Sequence, residues 1–299
     1  MTVAFEDECY PPTTTPEEGM AHMPIYCACS SVRGLRTKNE DRCVAGIIAL
    51  PDETKAAFAF VCDGVGGCAG GDVASSIAIG QCLQSTTHHF WKNTWETPKS
   101  LSPVLSEVIK AANEAVTNHA TNTPQLKEMA TTIVGMLYHK GKMAVAGVGD
   151  SRVYLYREGL LEQLTKDDSL PQQLADRGLI TAEEAENHPM NNVITHFLGL
   201  RENLESLTVH EYAAKPGDFI VLSSDGFHKF AANALPALCD SCVRHGVTHE
   251  TLKQLVSDLT QESLVMGSDD NVSIALLYVG AGESHKNLRE TWSYWKNGG

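Results

Sequence analysis

Apolar residues in this chain gather into short blocks of strand length, set off by turn residues, with longer stretches between them in which apolar positions recur every three to four residues. The blocks at 43–50, 57–62, 132–138, 142–148, 152–156, 219–222 and 272–279 read as strands. "HKGK" at 139–142 and "REG" at 157–159 are tight hairpin signals, which favour antiparallel pairing over alternating βαβ units. Ser102 and Pro103 suit an N-cap and first turn, ahead of a helical repeat through Val104, Leu105, Val108, Ala112, Ala115 and Val116. Asp72 opens a second helix through Val73, Ile77 and Leu83, and a third runs over about 249–264. Thr181, with Glu184 three residues on, forms a capping box for a short helix in "TAEEAENH". The pattern predicts antiparallel sheets with long helices packed outside them.

Composition narrows this picture. A chain of 299 residues, 42% hydrophobic and without an internal repeat, can fill the core of one large domain. Its expected extent is 24–280, between a Pro-, Thr- and Glu-rich tail over 1–23 and a polar tail over 281–299. The formal net charge of −14 argues against a nucleic-acid partner, which demands surplus Lys and Arg. No apolar run approaches the roughly 18 residues that span a bilayer, and "MTVAFEDECY" is too acidic for a signal peptide. The expected location is the cytoplasm, with no membrane contact and with the nine cysteines as thiols. Cys239, Cys242, His245 and His249 include ligand types that zinc accepts, but their intervals are too short for a two-armed zinc module, so they read as helix residues.

The acids change the picture most. Asp41 precedes the block at 43–50, and Asp63, Asp150, Asp225 and Asp270 each stand beside an apolar block, in "FVCDGVGG", "AVAGVGDSR", "IVLSSDGF" and "GSDDNVSIALL". One Asp-Gly is an ordinary solvated turn; five acids at strand ends, three of them next to glycine, suggest a site. If these ends converge, two carboxylates 4 Å apart repel by roughly 4 kcal/mol at an effective dielectric near 20, a cost that divalent cations offset. All-oxygen ligands point to Mg²⁺ or Mn²⁺, and ions with few protein ligands leave room for water, which points to hydrolysis. Arg36, five residues before Asp41, then carries a guanidinium fork suited to phosphate oxygens; the alternative is a surface pair with Glu40.

The stretches "GLRTKNED", "VCDGVGG", "ATT" at 130–132, "GVGDSR", "LTKDDS", "LSSDGF" and "DDNVS", in that order over about 30–279, resemble the metal-dependent protein phosphatases of the PPM or PP2C type in their compact bacterial form. The resemblance implies an α+β fold, a four-layer α-β-β-α sandwich of two antiparallel sheets flanked by helices, with two Mg²⁺ or Mn²⁺ ions at one end. It implies that Asp63 bridges the ions, that Gly64 offers a backbone carbonyl, and that Asp225 and Asp270 ligate one ion. Glu40 and Asp41 act near the centre, directly or through water; Asp150 helps hold a weaker third ion; Arg36 binds phosphate. The segment 170–199 matches a flap beside the site. Two departures stand out: Val65 occupies the place of a histidine found in many animal members, and Asn191 and His196 stand where bacterial flaps often carry arginine.

The activity implied is hydrolysis of phosphoserine and phosphothreonine in proteins, by a water or hydroxide held between two ions. The implied partners are phosphorylated proteins and a Ser/Thr kinase, and the chain is expected to act as a monomer. A thiol mechanism through Cys62 or Cys68 lacks the phosphate loop of a cysteine with an arginine five residues later. A catalytically idle binding module would have lost metal acids, and none is lost. A hydrolase of small phosphate esters shares the metal chemistry and is separated only by a substrate panel.

Overall fold

The computed structural model describes residues 23–66, 69–92, 100–199, 204 and 207–280. Ten strands form two five-stranded sheets. The first contains β1 (Ile25–Val32), β10 (Val272–Val279), β9 (Phe219–Ser223), β6 (Arg152–Arg157) and β7 (Leu160–Gln163), in that order. The second runs β2 (Arg42–Ala49), β3 (Lys55–Cys62), β4 (Ile133–His139), β5 (Lys142–Val148) and β8 (Val209–Ala213). Every pairing is antiparallel. Both hairpins expected from sequence form around two residues at positive φ, Lys140 with Gly141 and Glu158 with Gly159, the backbone twist a tight hairpin requires.

The central strands are buried on both faces, which explains their unbroken apolar blocks. Along β3, Ala57, Ala59 and Val61 face the other sheet and join Val134, Met136, Ile220, Leu222 and Leu277 in an inter-sheet core. The alternate residues Phe58, Phe60 and Cys62 face outward, against α1 (Gly71–Lys92) and α2 (Ser102–Asn122), where Ala74, Leu105 and Ile109 meet them. On the opposite side, Phe219, Val221 and Ile274 pack under α5 (Asp225–Ala231), α6 (Leu235–His245) and α7 (His249–Val265). Each Phe, Ile or Leu fully buried in these layers contributes about 1.5–3 kcal/mol. Two short helices, α3 (Leu170–Asp176) and α4 (Ala182–Glu186), lie in the segment expected as a flap, and the Thr181–Glu184 capping box of α4 is present.

Some expectations need correction. Ser102 is the first residue of α2, not its cap; Leu101 holds the cap position, and the Ser102 amide donates to Glu211 Oε1 of β8 at 2.8 Å. A neighbouring carboxylate thus takes the place of the local hydroxyl. β1, β7, β8, α3, α5 and α6 were not expected as elements. Cys239 and Cys242 are core residues, the latter donating to the Thr251 carbonyl, while His249 packs edge-on against Tyr26, so this group consists of helix residues as expected. The expectations for 1–22 and 281–299 lie outside the described residues. Among the described residues, no helix is long and apolar enough to cross a membrane.

Candidate active site

The five acids do converge. Asp63 and Asp150 follow the ends of β3 and β5, Asp225 follows β9, and Asp41 and Asp270 stand just ahead of β2 and β10, all at the same end of the sandwich. They surround a cavity of about 520 Å³ lined by Arg36, Glu40, Asp63, Gly64, Val65, Asp150, Asp225 and Asp270 among others. Asp41 is the exception: it is 1% exposed and lies beneath the cavity, reaching it only through its neighbours.

Other motifs singled out in the sequence turn out to be the frame. The Asp63 amide donates to Thr132 Oγ1 at 3.1 Å, and its carbonyl accepts from the Thr131 hydroxyl and the Thr132 amide, each at 2.8 Å, so the "ATT" segment clamps Asp63 from both sides. Thr132 Oγ1 also meets Ser151 Oγ at 2.7 Å, tying the clamp to the Asp150 turn. Asn271 Oδ1 accepts from the Glu40 amide at 2.8 Å, while its Nδ2 donates to the carbonyls of Arg33 and Lys38, which fixes the opening "RTKNED" stretch against β10. In "LTKDDS", the Asp167 carboxylate accepts from Nε and Nη2 of the Arg152 guanidinium, and Asp168 accepts from the Gly149 amide at 3.1 Å. The Asp-Gly glycines serve close approach here, not unusual φ. A Cβ at Gly64 would lie 2.6 Å from the Gly71 backbone, and one at Gly226 would lie 2.0 Å from the Asn271 carbonyl oxygen.

The electrostatics show a centre that is overcharged by itself. Burial pushes the Asp63 carboxyl well above the usual range, and the charges of Asp41, Asp225 and Asp150 push it further. Burial also raises Asp41 to about 7, against the pull of the nearby Ser224 and Ser273 hydroxyls, and its Oδ2 has no hydrogen-bond partner. Asp150 rises to about 7 through burial and then the Asp225 charge. Asp225 alone is held below the usual range: burial opposes this, but Lys229 outweighs it, with Nζ 2.7 Å from Asp225 Oδ2. An orphaned buried carboxylate oxygen amid mutually repelling acids is a donor set that fits hard divalent cations. Among the described residues, no three Asp, Glu, His or Cys side chains are grouped to hold a metal ion by themselves, so such an ion needs further ligands, of the kind the Gly64 carbonyl and solvent supply.

Several placements differ from what the sequence suggested. Arg36 pairs with neither Glu40 nor open solvent: Nη2 donates to Asp270 Oδ2 at 2.7 Å, with the side chain half exposed at the cavity mouth. In the segment 170–199, Asn192 and Ile194 line the cavity, whereas Asn191 and His196 do not. His196 sits in a second cavity of about 360 Å³, with Nδ1 3.6 Å from Asp168. His228, three residues past Asp225, is turned inward; its Nε2 donates to the Asp150 carbonyl at 3.0 Å, and burial pushes its pKa down to about 3. No histidine stands among the described cavity-lining residues. Cys62 is fully buried and its thiol is pushed well above the ordinary value by burial, and Cys68 lies outside the described residues. Sequence reading missed Lys229 altogether, although its place one helical turn after Asp225, in "DGFHKF", is the spacing that brings two side chains together.

Two facing antiparallel sheets, helices outside each, and an acid-rich centre at one end define the class of the protein phosphatase 2C fold. The profile of the protein phosphatase 2C family matches residues 35–266, and the chain belongs to that family. It is 32% identical over 250 residues to the serine/threonine protein phosphatase PstP of Mycobacterium tuberculosis, a match covering 83% of this chain and 44% of the relative. The chain thus spans less than half the length of that curated relative. It is 29% identical over 246 residues to the serine/threonine phosphatase stp of Listeria innocua, covering 81% of this chain and 91% of the relative. The solved catalytic domain of serine/threonine protein phosphatase PstP, in complex with two manganese ions, superposes with a TM-score of 0.68 at 29% identity, over 86% of this chain and 98% of that one.

Proposed function

We propose that this chain is a Mg²⁺- or Mn²⁺-dependent phosphatase that hydrolyses phosphoserine and phosphothreonine in proteins, acting as a cytoplasmic monomer on the substrates of a Ser/Thr kinase. The observation that carries the reading is the convergence of Asp63, Asp150, Asp225 and Asp270 with Arg36 on one cavity. The relatives named as serine/threonine phosphatases, and the manganese-bound catalytic domain of PstP, support it.

Asp63, Gly64, Asp225 and Asp270, with Glu40 and Asp41 acting close by, are the groups that would hold two divalent ions. Bound there, such ions polarise phosphoryl oxygens and acidify water, the nucleophile for in-line attack on phosphorus. Arg36 binds the phosphoryl group. Its single hydrogen bond to Asp270 is half exposed and therefore weak, so a dianion entering the cavity can recruit the guanidinium. Thr131 and Thr132 hold the Asp63 backbone rigid, which keeps the carboxylate in place without a change in geometry during turnover. Val65 at the cavity wall and His228 bonded to a backbone carbonyl leave the leaving-group oxygen with no described histidine to protonate it. Cys62, fully buried, is not placed to serve as a nucleophile.

Turnover of phosphothreonine and phosphoserine peptides, phosphotyrosine peptides and nucleotides, each with Mn²⁺ or EDTA, tests the reading. The expected result is Mn²⁺-dependent release of phosphate from the first two. Preference for nucleotides or other small esters would overturn the protein-phosphatase assignment, and turnover that persists in EDTA would overturn the metal assignment.

A further inference from the structure

Lys229 stands where the third, weaker ion would be expected. It stands in α5 one turn after Asp225 and lines the cavity, while its neighbours Phe227 and His228 are buried. Its Nζ lies 2.7 Å from Asp225 Oδ2 and 3.8 Å from Asp150 Oδ2, so one ammonium spans Asp225 and Asp150, the acid expected to help hold such an ion. It also donates to Asn192 Oδ1 at 2.7 Å, in the flap segment. Three anionic or carbonyl oxygens from three separate parts of the chain thus meet at a single amine, and Lys229 is only about one-fifth exposed.

We propose that Lys229 is a built-in cation that fills the Asp150–Asp225 site in place of a divalent ion, and that it fastens the flap to the metal centre through Asn192. The inference rests on the two-ion reading above and deepens it: two exchangeable ions and one covalently attached charge, in place of three ions. The ammonium supplies one positive charge between the two carboxylates, and its tether gives it a fixed position that a weakly held ion lacks. Lys229 is in this account a positioning residue, acting through Asp225 and Asn192. Asp150, its carboxylate committed to the ammonium, would contribute little to divalent-ion binding.

The test counts bound Mn²⁺ by equilibrium dialysis and calorimetry on wild type, Lys229→Met and Lys229→Arg, with melting curves to establish folding and Lys229→Gln in reserve should the Met variant fail to fold. The expected counts are two in wild type, two in Lys229→Arg and three in Lys229→Met or Lys229→Gln, because only the neutral variants vacate the carboxylate pair. Three ions in wild type, or an unchanged count of two in the neutral variants, would overturn the proposal. Hydrogen exchange reports the second half: amides over 187–194 should exchange at least several-fold faster in Asn192→Ala, while the Mn²⁺ count stays at two. Unaltered exchange would remove the latch. Phosphatase assays on wild type separate the two levels of inference, since absence of Mn²⁺-dependent turnover refutes the proposed function whatever the ion count.

Discussion

Asp63 is the residue on which function and stability pull in opposite directions. Its carboxylate is buried among three other acids, so on the two-ion proposal Asp63→Asn should abolish most activity, lowering kcat by orders of magnitude, because the ions it would hold supply several kcal/mol of transition-state stabilisation. In EDTA, the same change removes a buried carboxyl whose ionisation burial and its acidic neighbours oppose, while keeping the shape, so the metal-free variant should melt above metal-free wild type. A lower melting temperature would mean that the hydrogen bonds of the Asp63 carboxylate outweigh the repulsion. Arg36 differs in kind: it is half exposed and held only by Asp270, so if it binds the phosphoryl group of the ground state as proposed, Arg36→Ala should raise KM more than it lowers kcat. An unchanged KM on a phosphopeptide would leave Arg36 as a partner of Asp270 and nothing more. The acids were legible in the sequence because each stands at the end of an apolar block. The partner of Arg36 was not, since Asp270 lies 234 positions away and the pair has no local signal, whereas the i,i+4 spacing of Asp225 and Lys229 was there to be read.

The elements that place these residues were legible in proportion to how completely they are buried. β3, β4, β5, β9 and β10 are apolar on both faces and read directly as strands, and two hairpins announced themselves through glycine turns. β7 and β8 were missed because they are edge strands, with most positions at least partly exposed, and β1 because the outer end of "IYCACSSV" is polar; in each case pairing with a neighbour, not patterning, makes the strand. The "ATT" turn was recognised as a motif, but its task depends on the long-range return of β4 to the end of β3. That task is testable. Thr132→Val keeps the shape and removes the hydroxyl that accepts from the Asp63 amide and meets Ser151. An amide left unpaired in a nearly closed site costs about 1–3 kcal/mol. The expected outcome is a loss of that size in urea unfolding, together with a fall in kcat as Asp63 loosens. Full stability with reduced kcat would confine the hydroxyl to catalysis, and no change in either would show that the remaining Thr131 contacts suffice.

At the scale of the molecule, the layers enclose titratable groups of two kinds whose pH effects oppose each other. Asp41 and Asp150 have folded pKa values raised to about 7, so between the ordinary carboxylate range and that value the native state binds more protons than the unfolded chain, and their contribution falls as pH rises. His139 works the other way. It is 3% exposed at the end of β4, its Nε2 within 3.1 Å of Thr54 Oγ1 and its ring edge-on to Phe90 of α1, and burial followed by the Lys140 charge pushes its pKa down to about 4. The unfolded chain, with an ordinary histidine near 6.5, therefore binds more protons than the native state between about 4 and 6.5. The stability contributed by the neutral ring is fully present above about pH 6.5 and lost as pH falls through that window, to a limit of about 3 kcal/mol. Because the carboxylates mask this in the total, the measurement is a difference: urea unfolding of wild type and His139→Gln at half-unit steps from pH 4 to pH 8. The gap between the two proteins should be constant above about pH 7 and shrink steadily towards pH 4, since the variant has no proton to exclude from that position. A gap independent of pH would show that the ring at β4 titrates as freely as one in solvent, and that the contact between the second sheet and α1 opens to admit its charge.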